Sequence, residues 1–310
     1  MKRFLKKLAF LLATVLLVYA ALLGLALGVA APQYGTEYTG CVVDKLQRLE
    51  ALEGPKIILV GNSNLAFGMD SARLEAAMGM PVVNLGGHGS FGEEFQMNMA
   101  KGNIGPGDIV ICAPTAYTLT EPDCELYWIT LENHGLFSLV PRDCWGAMIK
   151  TAPRYALKTL LRWATGTGND QKTNAYARSA FNEYGDNVYP RPESIGSFVG
   201  HSGGYLRISE EFVELFNEFN GYCLEQGAVC LLAASPKLRA DKMPDEALLK
   251  GLQVTLEERL DCPVISDFPA YLMEESYFYD TIHHMTDAGV VLRTQLLIGD
   301  LQRWQEEKYA

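Results

Sequence analysis

The sequence predicts an α/β protein that carries one membrane-spanning helix at its amino terminus. Three observations support this prediction: a long uncharged apolar run near the start, short apolar or β-branched runs that alternate with helical segments, and a polar turn directly after the first of those runs. Strands that alternate with helices are typical of a parallel sheet with right-handed crossovers. With 310 residues, the chain is long enough for a substantial core.

The apolar run covers residues 8–31, 24 residues without a charge, and follows four basic residues among the first seven. As a helix it would reach about 36 Å, enough to cross a hydrocarbon core of about 30 Å. Cleavable signal peptides usually have shorter apolar cores, so we expect a retained signal anchor over residues 1–32. The basic end predicts a cytoplasmic start and an extracytoplasmic remainder, that is, a single-pass protein of the cell membrane. Cleavage after Ala30 or Ala31 is the alternative.

Charge and cysteine content exclude several function classes. Of the 26 Lys and Arg residues, four lie in residues 1–31, which leaves 22 basic against 37 acidic side chains in the rest of the chain. A surface this acidic repels nucleic acid at long range. The seven cysteines show no spacing typical of a metal site. We therefore expect no nucleic-acid partner, no metal centre and no cofactor.

The remaining chain predicts a spacer over residues 33–54 and an α/β domain over residues 55–310. Apolar runs bounded by Gly and Pro predict five strands, at residues 56–60, 81–85, 109–113, 228–234 and 263–266. Helical spacing predicts an amphipathic helix that carries Phe212 and Phe216, and a last helix capped by Thr286.

The third and fourth strands are separated by residues 114–205, which are rich in aromatics, prolines and turn residues and include a basic helix around residues 154–163. A segment this long inside an α/β domain is usually an insertion that covers the functional edge of the sheet. The fold that we predict is therefore a flavodoxin-like three-layer sandwich with a five-stranded parallel sheet, a transmembrane helix and a long insertion after the third strand.

Ser63 follows the first strand, at the edge where open α/β sheets bind their ligands. Asp280 and His284 lie between the fifth strand and the last helix, and the same edge is expected for them. A serine becomes a nucleophile when a base takes its proton, and the base needs an acidic partner to hold its tautomer. This predicts Ser63 as nucleophile, His284 as base and Asp280 as orienting acid, with His283 as the alternative base. A polar turn whose serine bonds only to nearby backbone is the competing interpretation.

Three further histidines have no partner at a recognisable spacing: His88, His134 and His201. We expect most of them to be surface or core residues. His88 is the exception, because its glycine-rich loop should face Ser63.

The spacing of these residues resembles the SGNH (GDSL-like) hydrolase superfamily. Gly61-Asn62-Ser63 is similar to the first block of that family, Gly-Asp-Ser, with Asn in place of Asp. The loop from Asn84 to Gly89 is similar to the block that supplies an oxyanion-hole amide, and Asp280 with residues 284–289 resembles the closing Asp/His block. The resemblance implies that the amide of Gly86 or Gly89 assists the amide of Ser63 in holding an oxyanion.

Two departures from the family pattern bear on activity. The third block normally supplies an asparagine after the third strand, and here the strand runs into Ala113-Pro114-Thr115. Loss of one oxyanion donor costs about 10²–10³ in turnover, and Thr115 or Asn84 would have to substitute. The usual Asp-x-x-His spacing would select His283, whereas the residues after His284 favour His284.

The membrane-anchored arrangement is most similar to envelope members of the superfamily, including the D-alanine transfer proteins of teichoic acid synthesis and polysaccharide O-acyl esterases or transferases. The resemblance implies an extracytoplasmic serine esterase or acyltransferase that acts on an acyl ester of a cell-envelope glycan or polymer. A cell-envelope polysaccharide or teichoic-acid-like polymer would be its partner. The missing asparagine favours the alternative, a catalytically weak or inactive binding or assembly protein of the envelope.

Overall fold

A computed structural model describes residues 1–167, 174–196, 198, 206–240 and 243–309, with the backbone alone at residue 309. The α-helices of these residues are α1 (Lys2–Leu25), α2 (Cys41–Ala51), α3 (Ser63–Ala66), α4 (Ser71–Met78), α5 (Glu93–Lys101), α6 (Cys124–Glu132), α7 (Trp145–Thr165), α8 (Glu210–Glu225), α9 (Glu246–Arg259) and α10 (Asp287–Tyr309). The strands are β1 (Ile57–Val60), β2 (Val82–Asn84), β3 (Ile109–Cys112), β4 (Val229–Leu232), β5 (Lys237–Leu238) and β6 (Leu272–Met273).

The main sheet is parallel, with the strand order β2-β1-β3-β4. Among the described residues it has four strands, so the prediction of five is wrong. Residues 263–266 run beside β4 but pair with it only at Leu232, opposite Val264. The ladder stops there because Pro263 has no N–H to donate and Ser266 Oγ accepts the N–H of Ala234 at 3.1 Å.

Helices cover both faces of this sheet, because successive strand residues point to opposite sides. Ile58, Val60 and Val110 share one apolar core with side chains of α5 and α8. Ile57 and Leu59 belong to a second core with side chains of α4 and α10. The predicted amphipathic helix is α8, which buries Phe212, Phe216, Phe219 and Cys223. The Thr286 cap of α10 is also present, since its hydroxyl accepts the N–H of Gly289 at 3.3 Å.

The segment between β3 and β4 contains α6, α7 and several short helical turns. The predicted basic helix lies within α7 and is longer than expected. Parts of the predicted insertion, residues 168–173, 197 and 199–205, lie outside the described residues.

The described residues contain one helix that is long and apolar enough to cross a membrane, Lys2–Ala30, which joins α1 to a π-helical turn (Ala26–Ala30). The chain that leaves this helix is bound to the insertion. The backbone N–H groups of Gln33 and Tyr34 donate to the two carboxylate oxygens of Glu132 at 2.8 Å and 3.0 Å. The end of the apolar helix is therefore held against α6 and α7.

Candidate active site

Ser63 is the first residue of α3, directly beyond the carboxyl end of β1. The preceding Asn62 caps this helix, with its Oδ1 accepting the N–H of Asn64 at 3.1 Å. Within residues 61–69, all of which the structure describes, Ser63 alone is not buried. An otherwise buried strand and helix thus leave one serine accessible at the carboxyl edge of the sheet, where open α/β sheets bind their ligands.

His284 and Asp280 are joined by a hydrogen bond of 2.8 Å between the ring Nδ1 and the carboxylate Oδ1. An ionised carboxylate only accepts hydrogen bonds, so this contact assigns the ring proton to Nδ1. Nε2 is then left with a lone pair that can accept a proton. This is the tautomer that a general base needs. The ring that bonds to Asp280 is that of His284.

Tyr176 completes this group, although the sequence did not point to it. Its hydroxyl donates to Asp280 Oδ2 at 2.5 Å, and its oxygen lies 3.2 Å from His284 Nδ1. Burial raises the pKa of Asp280, but the hydrogen bonds from His284 and Tyr176 outweigh it, and the net pKa is lowered. Burial, and then the bond to Asp280, raises the pKa of Tyr176, so the phenol stays protonated and continues to donate.

The serine and histidine segments meet through Phe67. The rings of Phe67 and His284 are stacked, with centroids 4.0 Å apart and planes at 11°. Phe67 is one helical turn beyond Ser63, since its N–H donates to the Ser63 carbonyl at 2.9 Å. Side chains four residues apart on a helical turn are neighbours, with Cβ atoms about 5–6 Å apart. Among the described residues, no hydrogen bond joins the Ser63 hydroxyl to the His284 ring.

The glycine-rich loop after β2 packs against α3. Asn84 is fully buried, and its Nδ2 donates to the Leu65 carbonyl at 3.0 Å and to Asp186 Oδ1 at 2.8 Å. Its Oδ1 accepts the N–H of Gly86 at 2.9 Å. A Cβ on Gly86 would lie 2.6 Å from the backbone nitrogen of Ala66, so only glycine allows this approach. Asn84 and Gly86 therefore hold the loop in place, and their donors are already engaged.

Gly89 lies further along the same loop and differs from Gly86. In the described part of the chain, the amides of Ser63 and Gly89 donate to no protein acceptor. The neighbouring His88 lies beside the site, since its ring packs against Tyr38 at 5.5 Å and Tyr38 packs against Phe67 at 5.8 Å. Burial lowers the pKa of His88, Asp123 opposes this, and the nearby His284 lowers the pKa further. The loop of His88 thus reaches the edge that carries Ser63.

Thr115 follows β3 at the position where the family pattern has its asparagine. Its Oγ1 accepts from Asn62 Nδ2 at 2.8 Å, which leaves the hydroxyl proton of Thr115 free to be donated. The carbonyl of Thr115 accepts from Lys237 Nζ at 2.6 Å. Lys237 is buried, and burial, followed by the charge of Arg293, lowers its pKa to about 7.

Two buried arginines tie the segments of the site together. Arg191 donates to the Met285 carbonyl at 2.9 Å and to the Phe67 carbonyl at 3.3 Å. Arg293 of α10 donates to the carbonyl of Asn64. Neither arginine has a sequence signal, because each acts on backbone carbonyls that are distant along the chain.

The other histidines are placed as follows. The backbone N–H of His283 donates to Thr281 Oγ1 at 3.2 Å. The ring of His134 packs against Phe137, and His201 lies outside the described residues. The described residues hold no group of three or more His, Cys, Asp or Glu side chains that could bind a metal ion.

Comparisons of the chain with protein-family models, with curated proteins and with solved structures found no match in any of the three. The function is therefore argued from the residues and their geometry.

Proposed function

We propose that this protein is a membrane-anchored, extracytoplasmic serine esterase or acyltransferase of the SGNH (GDSL-like) type. Its substrate would be an acyl ester of a cell-envelope glycan or polymer. The observation that carries the proposal is His284, whose Nδ1 is bound to Asp280 and whose ring is stacked on Phe67, one helical turn from Ser63. An acid, an oriented imidazole and the hydroxyl of a serine that is not buried are the parts that acyl transfer requires.

In the proposed mechanism, Ser63 Oγ attacks the acyl carbonyl carbon and its proton passes to His284 Nε2. The carbonyl oxygen becomes an oxyanion, which the amides of Ser63 and Gly89 would hold, since both lack protein acceptors among the described residues. Collapse of this intermediate breaks the ester bond, and the leaving alcohol takes the proton from Nε2. Water or a glycan hydroxyl then attacks the acyl-serine by the same steps, which regenerates Ser63.

Thr115 is the candidate for the third oxyanion donor, because its hydroxyl lies next to the Asn62 cap and retains a proton. Asn84 is a weaker candidate, since both its side-chain donor and acceptor are engaged. A hydroxyl in place of the family's asparagine is consistent with slower turnover than a complete site would give.

The remaining features of the proposal concern fold and location. The order β2-β1-β3-β4, with residues 263–266 beside β4, is consistent with a flavodoxin-like arrangement. The basic residues before the apolar helix favour a cytoplasmic amino terminus and an extracytoplasmic domain.

The alternative function is a non-catalytic envelope protein that binds the same class of polymer. Two observations favour it: the missing third-block asparagine, and the lack, among the described residues, of a hydrogen bond between Ser63 and His284. The second carries less weight, because catalytic hydrogen bonds often tighten only when substrate is bound.

A fluorophosphonate probe separates the two functions. We expect it to label the full-length protein in detergent micelles at Ser63, because the probe forms a stable bond with an activated serine. Ser63→Ala should abolish labelling, and His284→Ala should slow it by roughly 10²–10⁴-fold, the usual contribution of a general base. Labelling is measured by in-gel fluorescence over time.

Ser90→Ala is the matched control for this experiment, because Ser90 is a half-buried serine of the neighbouring loop whose hydroxyl bonds to His88. It should label like the wild type. A folded wild-type chain that is not labelled at all would contradict the enzyme and favour the binding protein.

A further inference from the structure

Helix α7 carries two parallel rows of side chains with a spacing of four residues. Ile149, Pro153, Leu157 and Leu161 form the apolar row, and the residues that follow each of them form the basic row, Lys150, Arg154, Lys158 and Arg162. No acidic residue lies in α7. Because residues four apart lie on one helical face, each row forms a continuous stripe.

The apolar row points away from the protein. Ile149, Leu157 and Leu161 are 69%, 62% and 56% exposed, and Trp145 and Trp163 at the two ends of α7 are 44% and 49% exposed. The opposite face of the helix is buried, with Met148, Ala152, Tyr155, Ala156 and Thr159. An exposed apolar stripe of this length is characteristic of a surface that contacts a membrane or a partner.

The position of α7 favours the membrane. It packs against α1 and against the π-helical turn that ends the apolar helix. Arg162 also donates to the Gln33 carbonyl at 2.8 Å and pairs with Glu37 at 2.8 Å. If residues 8–31 span a hydrocarbon core of about 30 Å, their carboxyl end lies at its boundary, and α7 lies there with it.

The charge of α7 suits anionic headgroups, although the chain as a whole is acidic. Arg154 and Lys158 lie over the Trp128 ring at 5.6 Å and 5.0 Å, so these two cations lie on the side of the apolar row that faces the protein body. An interfacial helix buries its apolar face at the acyl boundary and keeps basic groups at headgroup level. Lys and Arg side chains near an anionic surface are attracted to its headgroups.

We propose that α7 lies in the interface of the membrane that α1 spans, with its apolar row at the acyl boundary and the exposed Lys150, Arg154 and Lys158 of its basic row among anionic headgroups. This rests on the proposed retention of α1. Two attachments fix the orientation of the domain. Tyr38, whose ring contacts Phe67 and Tyr176, is seven residues beyond Ala31, so the backbone of Tyr38 lies within about 24 Å of the end of the apolar run. A site held this close suits acyl groups presented at the membrane surface.

Tryptophan quenching by brominated lipids tests the proposal. Full-length variants that retain only Trp145, only Trp163 or only Trp304 are reconstituted in vesicles of phosphatidylcholine and phosphatidylglycerol. With brominated phosphatidylcholine, the fluorescence of Trp145 and Trp163 should fall at least about twofold, and more with bromines near the headgroup than with deep ones. Trp304, on α10, should be unaffected. Equal quenching of all three, or none, would overturn the proposal.

A second variant guards against misfolding of the tryptophan variants. Leu157→Glu in the chain with all its tryptophans should weaken quenching, whereas Leu248→Glu, at a 52% exposed leucine of α9, should not. If α7 is instead covered by a second copy, Leu157→Cys will crosslink into dimers without lipid quenching, which also overturns the proposal. Fluorophosphonate labelling in detergent reads the serine chemistry separately, so either proposal can fail alone.

Discussion

Tyr176 shows how one side chain can hold a carboxylate and an imidazole in place. Its hydroxyl contacts both Asp280 and His284, and its ring packs against Phe67 at 5.5 Å. The phenol supplies one of the hydrogen bonds that lower the pKa of Asp280 against the effect of burial. It is therefore a positioning residue, which keeps the acid ionised and the imidazole oriented.

Tyr176→Phe removes this hydroxyl and keeps the ring. We expect the labelling rate at neutral pH to fall about tenfold, because a hydrogen bond to a charged group contributes about 1.5–3 kcal/mol. Loss of a donor also raises the pKa of Asp280, so the acidic limb of the rate profile should move to higher pH. The measurement is the labelling rate across pH.

Tyr189→Phe is the control, since Tyr189 is a half-buried tyrosine that packs against the apolar cluster containing Tyr38 and Phe67. It should leave both the rate and the profile unchanged. An equal loss of rate at every pH in Tyr176→Phe would indicate a purely structural role.

Lys237 is a second residue whose environment has a measurable consequence. Burial and then Arg293 lower its pKa from 10.5 to about 7 in the folded chain. Between these two values the unfolded chain binds a proton that the folded chain does not. The free energy of unfolding therefore rises with pH from about 7 to about 10, by at most about 1.4 kcal/mol per pH unit from this group. Below about pH 7 both states bind the proton and the cost of burying the charge is constant.

Lys237→Met should remove this part of the pH dependence. Relative to the wild type, the variant should be most stable at or below pH 7, and its advantage should shrink as pH rises to 10. A constant offset is expected from the lost hydrogen bond to the Thr115 carbonyl. Thermal unfolding in detergent at several pH values measures the difference. Lys250→Met, at an exposed lysine, is the control. The prediction would be contradicted if the stability of the wild type and that of Lys237→Met changed in parallel with pH.

At the scale of elements, the site depends on the joint between α3 and the segment before α10. These pieces are more than 200 residues apart in sequence, and Arg191 of the insertion lies between them. Its guanidinium bonds to both backbones and also stands over the Phe67 ring at 5.1 Å. Asn187 supplies further acceptors to the same guanidinium. The stack of Phe67 on His284 is thus supported by a buried cation.

Arg191→Lys tests this joint. An ammonium is a point donor and cannot reach acceptors on three segments at once, so buried carbonyls lose their partners. Each such loss costs about 1–3 kcal/mol, and we expect the free energy of unfolding to fall by about 3 kcal/mol or more. Denaturant unfolding in detergent measures it.

Arg239→Lys is the matched control, because Arg239 is exposed and pairs with Glu246 and Glu274 at the surface. Exposed pairs contribute little, so a change under about 1 kcal/mol is expected. Equal stability of the two variants would show that Arg191 does not hold the joint.

At the scale of the whole molecule, the insertion connects the apolar amino-terminal helix to the candidate site. Its α7 lies against the apolar helix, its Arg162 holds the chain that leaves that helix, and its Tyr176 and Arg191 complete the site at the sheet edge. Arg178 adds a bidentate pair with Asp44 of α2 at 2.6 Å and 2.7 Å. One segment therefore sets both the orientation of the domain and the geometry of its candidate catalytic group.

The sequence alone determined the features that depend on local patterns. The spacing of apolar residues and the length of apolar runs predicted α1, the first four strands, α8 and α10, because burial of one face of a helix or strand imposes a regular spacing. The position of Ser63 after the first strand identified the candidate nucleophile, and the four-residue spacing of Asp280 and His284 identified the candidate acid and base. The prediction of a fifth strand failed because Pro263 and the side chain of Ser266 interrupt the backbone hydrogen bonds to β4, although the apolar sequence pattern of a strand is present.

The tertiary structure decided what depends on contacts between distant segments. Tyr176, Arg191 and Lys237 act on groups that are close in space and far apart in sequence, and no local pattern marks such residues. The position of the glycine loop likewise depends on another segment, since Asn84 donates to the Leu65 carbonyl and a Cβ on Gly86 would meet the backbone of Ala66. Hydrogen bonds and burial are satisfied across the whole fold, so the partners of a polar side chain are known only once the chain has been brought together.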